Sequence, residues 1–146
     1  MQLHREWMMS DLAKLQTDRK AVVNLQRELD ALEADFTALK ATSYDKVPGG
    51  SGGNGQQDKV ELNIAKREEI MLCLNATQCH VKHMENLLNQ LDRNDRDIIE
   101  KMVILHSKTA EQMAEQLGVD TRTVHRRKHN AIENLMRLRF GGGYRP

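Results

Sequence analysis

The feature that most limits what this chain can fold into is a repeat of apolar residues at spacings of three and four over residues 8–40. Two series of positions that recur every seven residues are apolar: Met8, Leu15, Val22, Leu29 and Phe36 in one, and Leu25, Leu32 and Leu39 in the other. This spacing predicts a long helix with one apolar side, as in a coiled coil. Asp11 and Asp18 take the second series in the first two heptads, so we expect a weaker seam there, partly covered by Leu12.

A glycine-rich segment separates this helix from a second one. Residues 49–55 hold five of the nine glycines, and we predict a loop over residues 43–57. A second helix is predicted from about Asp58 to Leu91. One side of it is apolar except for Thr77, and its apolar members are Ile70, Leu74, Val81, Met84, Leu88 and Leu91. Matched helices across a flexible loop favour an antiparallel hairpin over residues 1–91. Because two helices bury little apolar surface, we expect the hairpin to form a homodimer or to bind another protein.

Residues 92–146 carry a different pattern, with three shorter helical segments and turn residues between them. Asp92 predicts the start of the first helix, with these core positions: Ile98, Ile99, Met102, Val103 and Leu105. Thr109 and Asp120 predict the starts of the next two helices. The residues that face the core are Met113, Ala114 and Leu117 in the first of these, and Val124, Ala131 and Leu135 in the second. Residues 141–146 are predicted as a flexible tail. The predicted fold class is all-α, a long antiparallel helical hairpin followed by a C-terminal helix-turn-helix domain.

The second and third of these short helices meet the steric demands of a DNA-binding helix-turn-helix. The leading helix needs a small residue where it meets the following one, and the turn needs a residue that tolerates a left-handed backbone. The following helix needs an apolar anchor. Ala114, Gly118 and Val124 stand at these three places.

The last helix is also where positive charge collects. The whole chain has 22 basic and 21 acidic residues, whereas residues 119–146 have seven basic and two acidic residues, a net charge of +5. At about 100° per residue, with Val124 facing the core, Arg122, Arg126, His129 and Glu133 point outward and Thr123 and His125 lie on the shoulders. A basic outer face is typical of a helix that enters the major groove, although a solvated basic helix is the alternative.

Three stretches of the sequence resemble a known family. LDRNDRDIIEKMVIL, KTAEQMAEQLGVDTRTVHRRKHNAIENL and the VPGGSGGN loop look like the small phage regulators of the ArpU/RinA type, whose C-terminal part is similar to region four of bacterial sigma factors. The resemblance implies control of phage or prophage transcription, often as a late-gene activator. It implies a phosphate contact for Lys128 and these base-reading candidates: Thr121, Arg122, His125, Arg126 and His129.

Arg127 departs from the pattern of that family, which usually has an apolar residue at this position. An arginine there can extend its guanidinium to a phosphate. With Thr123 on the shoulder of the helix, the expected DNA-binding residues are Thr121, Arg122, Thr123, His125, Arg126, Arg127, Lys128 and His129.

Metal binding and catalysis are less favoured. Cys73, Cys79, His80 and His83 spread around one helix and cannot close a tetrahedral site, although Cys79 and His83 could form half of a site that a second subunit completes. The sequence has no arrangement typical of a nucleophile with its base, and no paired carboxylates in an apolar setting. We therefore expect no catalytic residue, no metal and no cofactor.

The cellular location is predicted from the cysteines and from the absence of long apolar runs. Cys73 and Cys79 point to different sides of a helix, so a disulfide between them is disfavoured, as in a reducing compartment. No apolar run reaches the length of a signal-peptide core or a membrane span. We expect a cytoplasmic protein that has no membrane partner, and the resemblance to phage regulators implies that the cell is a bacterial host.

Two functions from different classes remain. The favoured one is a sequence-specific regulator of transcription that binds double-stranded promoter or operator DNA, with host RNA polymerase as a further partner and a homodimer formed through the N-terminal helices. The alternative is a helical adaptor that binds a host protein such as RNA polymerase without reading DNA, its basic end contacting an acidic surface.

Overall fold

The computed structural model describes residues 2–44 and 53–146, and within these ranges it contains helices and no strand. The helices are α1 (Gln2–Tyr44), α2 (Gly53–Leu88), α3 (Arg93–Ile98), a π-helix that continues α3 (Ile99–Ile104), α4 (Ala110–Leu117), α5 (Thr121–Phe140) and a 3-10 turn (Gly141–Gly143). The predicted all-α class is confirmed. None of the described helices is both long and apolar enough to span a membrane.

The chain packs as two compact units, and the long helices contribute to both. One unit contains Met1–Arg19 and His80–Pro146, and the other contains Lys20–Cys79. In the first unit one apolar core joins residues of α1 and α2 to residues of the later helices, among them Met8, Leu88, Ile99 and Leu135. The packing therefore does not divide at residue 91, the boundary expected from the sequence, because the base of the hairpin belongs to the same core as α5.

In the second unit, α1 and α2 run antiparallel along the predicted seam. The side-chain amide of Asn63 donates to the carbonyl oxygen of Leu32 at 2.9 Å, and that of Gln56 donates to the carbonyl oxygen of Leu39 at 3.0 Å. In these two pairs the residue number rises along one helix as it falls along the other, which defines the antiparallel hairpin predicted from two matched helices across a loop. The sequence did not predict that a buried polar residue, Asn63, lies in this seam.

The helices extend further toward the glycine-rich segment than predicted. Residues 43–44 end α1 and residues 53–57 begin α2, so the prediction of a loop is wrong for these positions, while residues 45–52 lie outside the described ranges. A glycine within a helix loses only about 1 kcal/mol relative to alanine. Continued backbone hydrogen bonding and the contact of Gln56 with the first helix outweigh that loss. At its other end α2 stops at Leu88, and Leu91 is buried in the turn that follows.

An ion pair and a histidine close the end of the seam where Asp11 and Asp18 replace apolar residues. The carboxylate of Asp11 lies 2.6 Å from the guanidinium of Arg139, and their side chains are only 12% and 10% exposed. The ring of His80 lies between the two carboxylates, 2.9 Å from Asp18 and 3.6 Å from Asp11. Leu12 is fully buried beside them, as expected.

Arg19 connects the hairpin to the π-helix. Its guanidinium donates to Glu85 at 2.8 Å and to Glu100 at 2.5 Å. Burial disfavours the charge on Arg19, but the hydrogen bonds and negative charges of Glu100 and Glu85 outweigh burial and raise its pKa. Arg19 is thus held as a cation between α2 and the π-helix.

The π-helix changes which side chains of this segment are buried. The backbone N–H of Leu105 donates to the carbonyl oxygen of Glu100, five residues back, at 2.9 Å. Five-residue hydrogen bonds put more residues in each turn than an α-helix has. The prediction of Leu105 as a core residue is therefore wrong: it is 37% exposed, and Ile104 is buried in its place at 2%.

The end of the chain, expected to be a flexible tail, instead contains a 3-10 turn and a packed tyrosine. Tyr144 packs against the core of the first unit and donates a hydrogen bond to Glu133. That hydrogen bond, with burial and the charge of Glu133, raises the pKa of Tyr144. The ring of His4 stacks on Phe140 with centroids 4.4 Å apart, so α1 also contacts the end of α5.

Candidate nucleic-acid interface

Helices α4 and α5 begin at the two cap residues predicted from the sequence. The hydroxyl of Thr109 accepts from the backbone N–H of Gln112 at 3.3 Å, and the amide oxygen of Gln112 accepts from the backbone N–H of Thr109 at 2.9 Å. At the start of α5, the carboxylate of Asp120 accepts from the backbone N–H of Thr123 at 2.7 Å. Hydrogen bonds from the side chain and from the backbone N–H of Thr123 lower the pKa of Asp120. Asp92 precedes α3 as predicted, but its side chain makes no such hydrogen bond.

The three residues predicted to set the helix-turn-helix geometry stand as expected. Gly118 ends α4 with a left-handed backbone at φ 67°. Ala114 and Val124 are 7% and 0% exposed and share a small core with Ile98 and Met113. The left-handed backbone of Gly118 and the burial of Val124 in the core together fix the turn between α4 and α5.

We expect Gly118→Ala to destabilise the chain by about 1–2 kcal/mol, the strain of a left-handed backbone in a residue with a Cβ. An added Cβ would meet nothing within 4 Å, so a clash does not contribute. Gly55→Ala is the matched control: Gly55 lies in the first turn of α2 and also has open space around it, and alanine there should stabilise the chain by no more than roughly 0.5 kcal/mol. Urea unfolding followed by far-ultraviolet circular dichroism measures both. Two changes of the same sign would contradict a left-handed turn at Gly118.

All eight residues predicted to bind DNA lie in the first half of α5. Four of them are exposed, namely Arg122, His125, Arg126 and His129, and four are partly buried, namely Thr121, Thr123, Arg127 and Lys128. Arg122, Arg126 and His129 share one face, since they are separated by four and three residues. In the described part of the chain, neither Arg122 nor Arg126 forms an ion pair with a carboxylate. Their guanidiniums are available to a ligand.

An open groove of about 750 Å³ runs along the shoulder of this face, between α3 and α5. Its lining residues are Asp92, Arg93, Asn94, Asp95, Arg126, Arg127 and Asn130. Burial raises the pKa of Asp95 and the charge of Asp92 adds to that rise, whereas the positive charge of Arg127 opposes it. Arg127, the departure from the resembled family, therefore has a carboxylate as a neighbour.

The basic face is interrupted by one acidic residue, Glu133, and that carboxylate is compensated. Arg5 of α1 lies 3.4 Å from it, and the hydroxyl of Tyr144 donates to its other oxygen. An uncompensated carboxylate here would repel phosphate groups, so the pairing with Arg5 preserves the positive character of the face.

No family model, curated protein or solved structure matches this chain. Function is therefore inferred from the chemistry of α5 and its neighbours.

Two contributors to this surface escape detection in the sequence. Arg93 lines the groove beside Arg127, and Arg5 pairs with Glu133 across 128 positions of sequence. Neither residue lies in a helix-turn-helix motif, and each reaches the face only because α1 and α3 pack beside α5. Arg137 is different, because its spacing of eleven residues from Arg126 already places it on the same side of the helix.

Proposed function

We propose that this chain is a sequence-specific DNA-binding regulator of transcription that inserts the first half of α5 into the major groove. The observation that supports it most is the exposed row of Arg122, Arg126 and His129, which forms no ion pair with a carboxylate within residues 2–44 and 53–146, on a helix whose other side is anchored by Val124. An α-helix fits the major groove, and a guanidinium can donate two parallel hydrogen bonds to the O6 and N7 atoms of guanine.

Within this proposal the residues of α5 have separate roles. The exposed side chains of Arg122, His125, Arg126 and His129, with Thr121 at the start of the helix, contact base edges. The partly buried Lys128 contacts a backbone phosphate, because its ammonium can extend past the helix but lies nearer the packed side. Thr123 and Arg127 flank the base-contacting row. The proposal includes no catalytic step and no cofactor.

The resemblance to phage regulators suggests which genes such a protein would control. We propose that the targets are phage or prophage promoters in the cytoplasm of a bacterial host, and that the effect is activation of late genes. A single recognition helix covers only a few base pairs, so useful specificity requires a second half-site or a partner such as host RNA polymerase.

Selection of bound duplexes from a random pool by the full chain tests the proposal. We expect one sequence to be enriched, and we expect its advantage over a scrambled duplex to persist between about 50 and 200 mM salt while both affinities fall. The salt dependence reports phosphate contacts, and the persistent difference reports contacts with bases. No enrichment, with equal and salt-sensitive binding to all duplexes, would contradict the proposal and favour the adaptor.

A further inference from the structure

The outward side of α2 in the second compact unit carries a second series of positions with spacings of four and three. The seam that faces α1 passes through Asn63 and Leu74. The second series lies on the other side of the helix, and all of its members are exposed: Asp58, Leu62, Ala65, Glu69, Leu72 and Ala76. Leu62 is 55% exposed and Leu72 is 72% exposed.

This unit leaves more large apolar side chains exposed than it buries. Among residues 20–42 and 55–79, the buried apolar side chains are Leu29 and Leu74, and the exposed large ones are Val23, Leu62, Ile64, Met71 and Leu72. Of these five, Leu62 and Leu72 belong to the outer series of α2, and large apolar side chains exposed at heptad positions mark a surface for another helix.

We propose that the outer series of α2 binds the same series of a second copy of this chain, antiparallel, about a two-fold axis at the level of residue 67. The series is symmetric about that level. Leu62 then faces Leu72 of the partner subunit, and Ala65 faces Glu69 of the partner subunit. A surface complementary to itself in this way is what an isologous interface requires.

Charge supports the same pairing. At about 100° per residue, Lys66 and Glu69 lie about 80° and about 20° around the helix from the middle of the outer series, on the same side of it. The two-fold axis brings Lys66 next to Glu69 of the partner subunit, and the pair occurs twice. Leu62 also borders a groove of about 380 Å³ whose apolar lining includes Leu32 and Leu39. This groove can accommodate an apolar side chain of the second copy beside Leu62.

A disulfide test reports this geometry directly. Cys73 lies about 20° around the helix from Leu62, and the axis places it against Leu62 of the partner subunit. In a Cys79→Ser background, Leu62→Cys should form a disulfide-linked dimer under mild oxidation. A link within one chain is excluded because eleven residues of helix span roughly 16 Å. Ile64→Cys is the matched control, since it lies on another side of α2 and should give several-fold less dimer. Equal amounts of dimer from the two variants would overturn the antiparallel arrangement.

Sedimentation of the full chain without DNA tests the interface itself, so the outcome is independent of the proposed function. We expect a dimer at micromolar concentration and an increase of about 100-fold in its dissociation constant for Leu72→Asp, because each copy loses a buried leucine and gains a charge. Leu3→Asp, at a position 74% exposed in the other unit, should leave the dimer unchanged. Lys66→Glu should weaken it and addition of Glu69→Lys should restore it. A monomeric wild type, or a Leu72→Asp variant that is helical and still dimeric, would overturn the proposal.

Discussion

Asp11→Ala is expected to destabilise the folded chain by about 3–5 kcal/mol, the loss typical when one member of a buried ion pair is removed. The carboxylate of Asp11 lies 2.6 Å from the guanidinium of Arg139, in a place where both side chains are about nine-tenths buried. Without Asp11, the charge of Arg139 stays in the core with no carboxylate beside it. Asp18→Ala is the matched control: that carboxylate is 28% exposed and contacts His80, so its loss should amount to no more than about 1 kcal/mol.

The double substitution separates the ion pair from the packing around it. Asp11→Leu with Arg139→Met should recover most of the stability lost in Asp11→Ala, since apolar side chains of similar volume replace both charges. Urea unfolding measured by far-ultraviolet circular dichroism gives the free energies. Fluorescence of Trp7, the single tryptophan, reports the same site because the guanidinium of Arg139 lies 4.8 Å from its ring. If Asp11→Ala and Asp18→Ala lose equal stability, the buried pair does not hold this end of the core.

The parts of the fold that follow from local spacing could be predicted from the sequence. The heptads of residues 8–40 predicted α1 and its apolar seam because one residue every three or four positions must face the partner helix. Ala114, Gly118 and Val124 predicted the α4–α5 turn because close packing, a left-handed backbone and an apolar anchor each restrict the residue type. Such restrictions act within about ten residues of sequence, so a single chain reveals them.

The features that could not be predicted depend on residues far apart in sequence. Nothing near Asp11 indicates that its partner is Arg139, and an aspartate in a seam looks like a weakness until that partner is known. The π-helix is similar. Its altered register brings Ile104 into the core in place of Leu105. Packing against the hairpin, and not the local spacing of apolar residues, determines which of the two is buried.

The basic outer face of α5 is intermediate between these two cases. The exposure of Arg122 and Arg126 followed from the position of Val124, because one inward residue fixes the direction of all others on a helix. The compensation of Glu133 by Arg5 did not follow, since it requires the start of α1 to lie beside α5. The sequence therefore identifies which side of α5 faces outward, while the structure supplies the charges that surround it.

Arg126→Ala is expected to lose about 1–3 kcal/mol of binding free energy toward the selected duplex and to relax the base preference at one position. Arg126 is exposed, lies one turn beyond Arg122 and has a guanidinium that can form two parallel hydrogen bonds with a guanine edge.

Arg126→Lys is the first control, because it keeps the charge but removes the planar fork, so the base preference should still be relaxed. Lys128→Ala is the second control. Because Lys128 is partly buried, its loss should weaken binding to all duplexes alike and reduce the slope of log affinity against log salt concentration by roughly one unit. Competition between selected and scrambled duplexes at two salt concentrations measures all three variants. If Arg126→Ala and Lys128→Ala weaken both duplexes by the same factor, then Arg126 contributes only electrostatic attraction and the base contacts of this protein lie elsewhere.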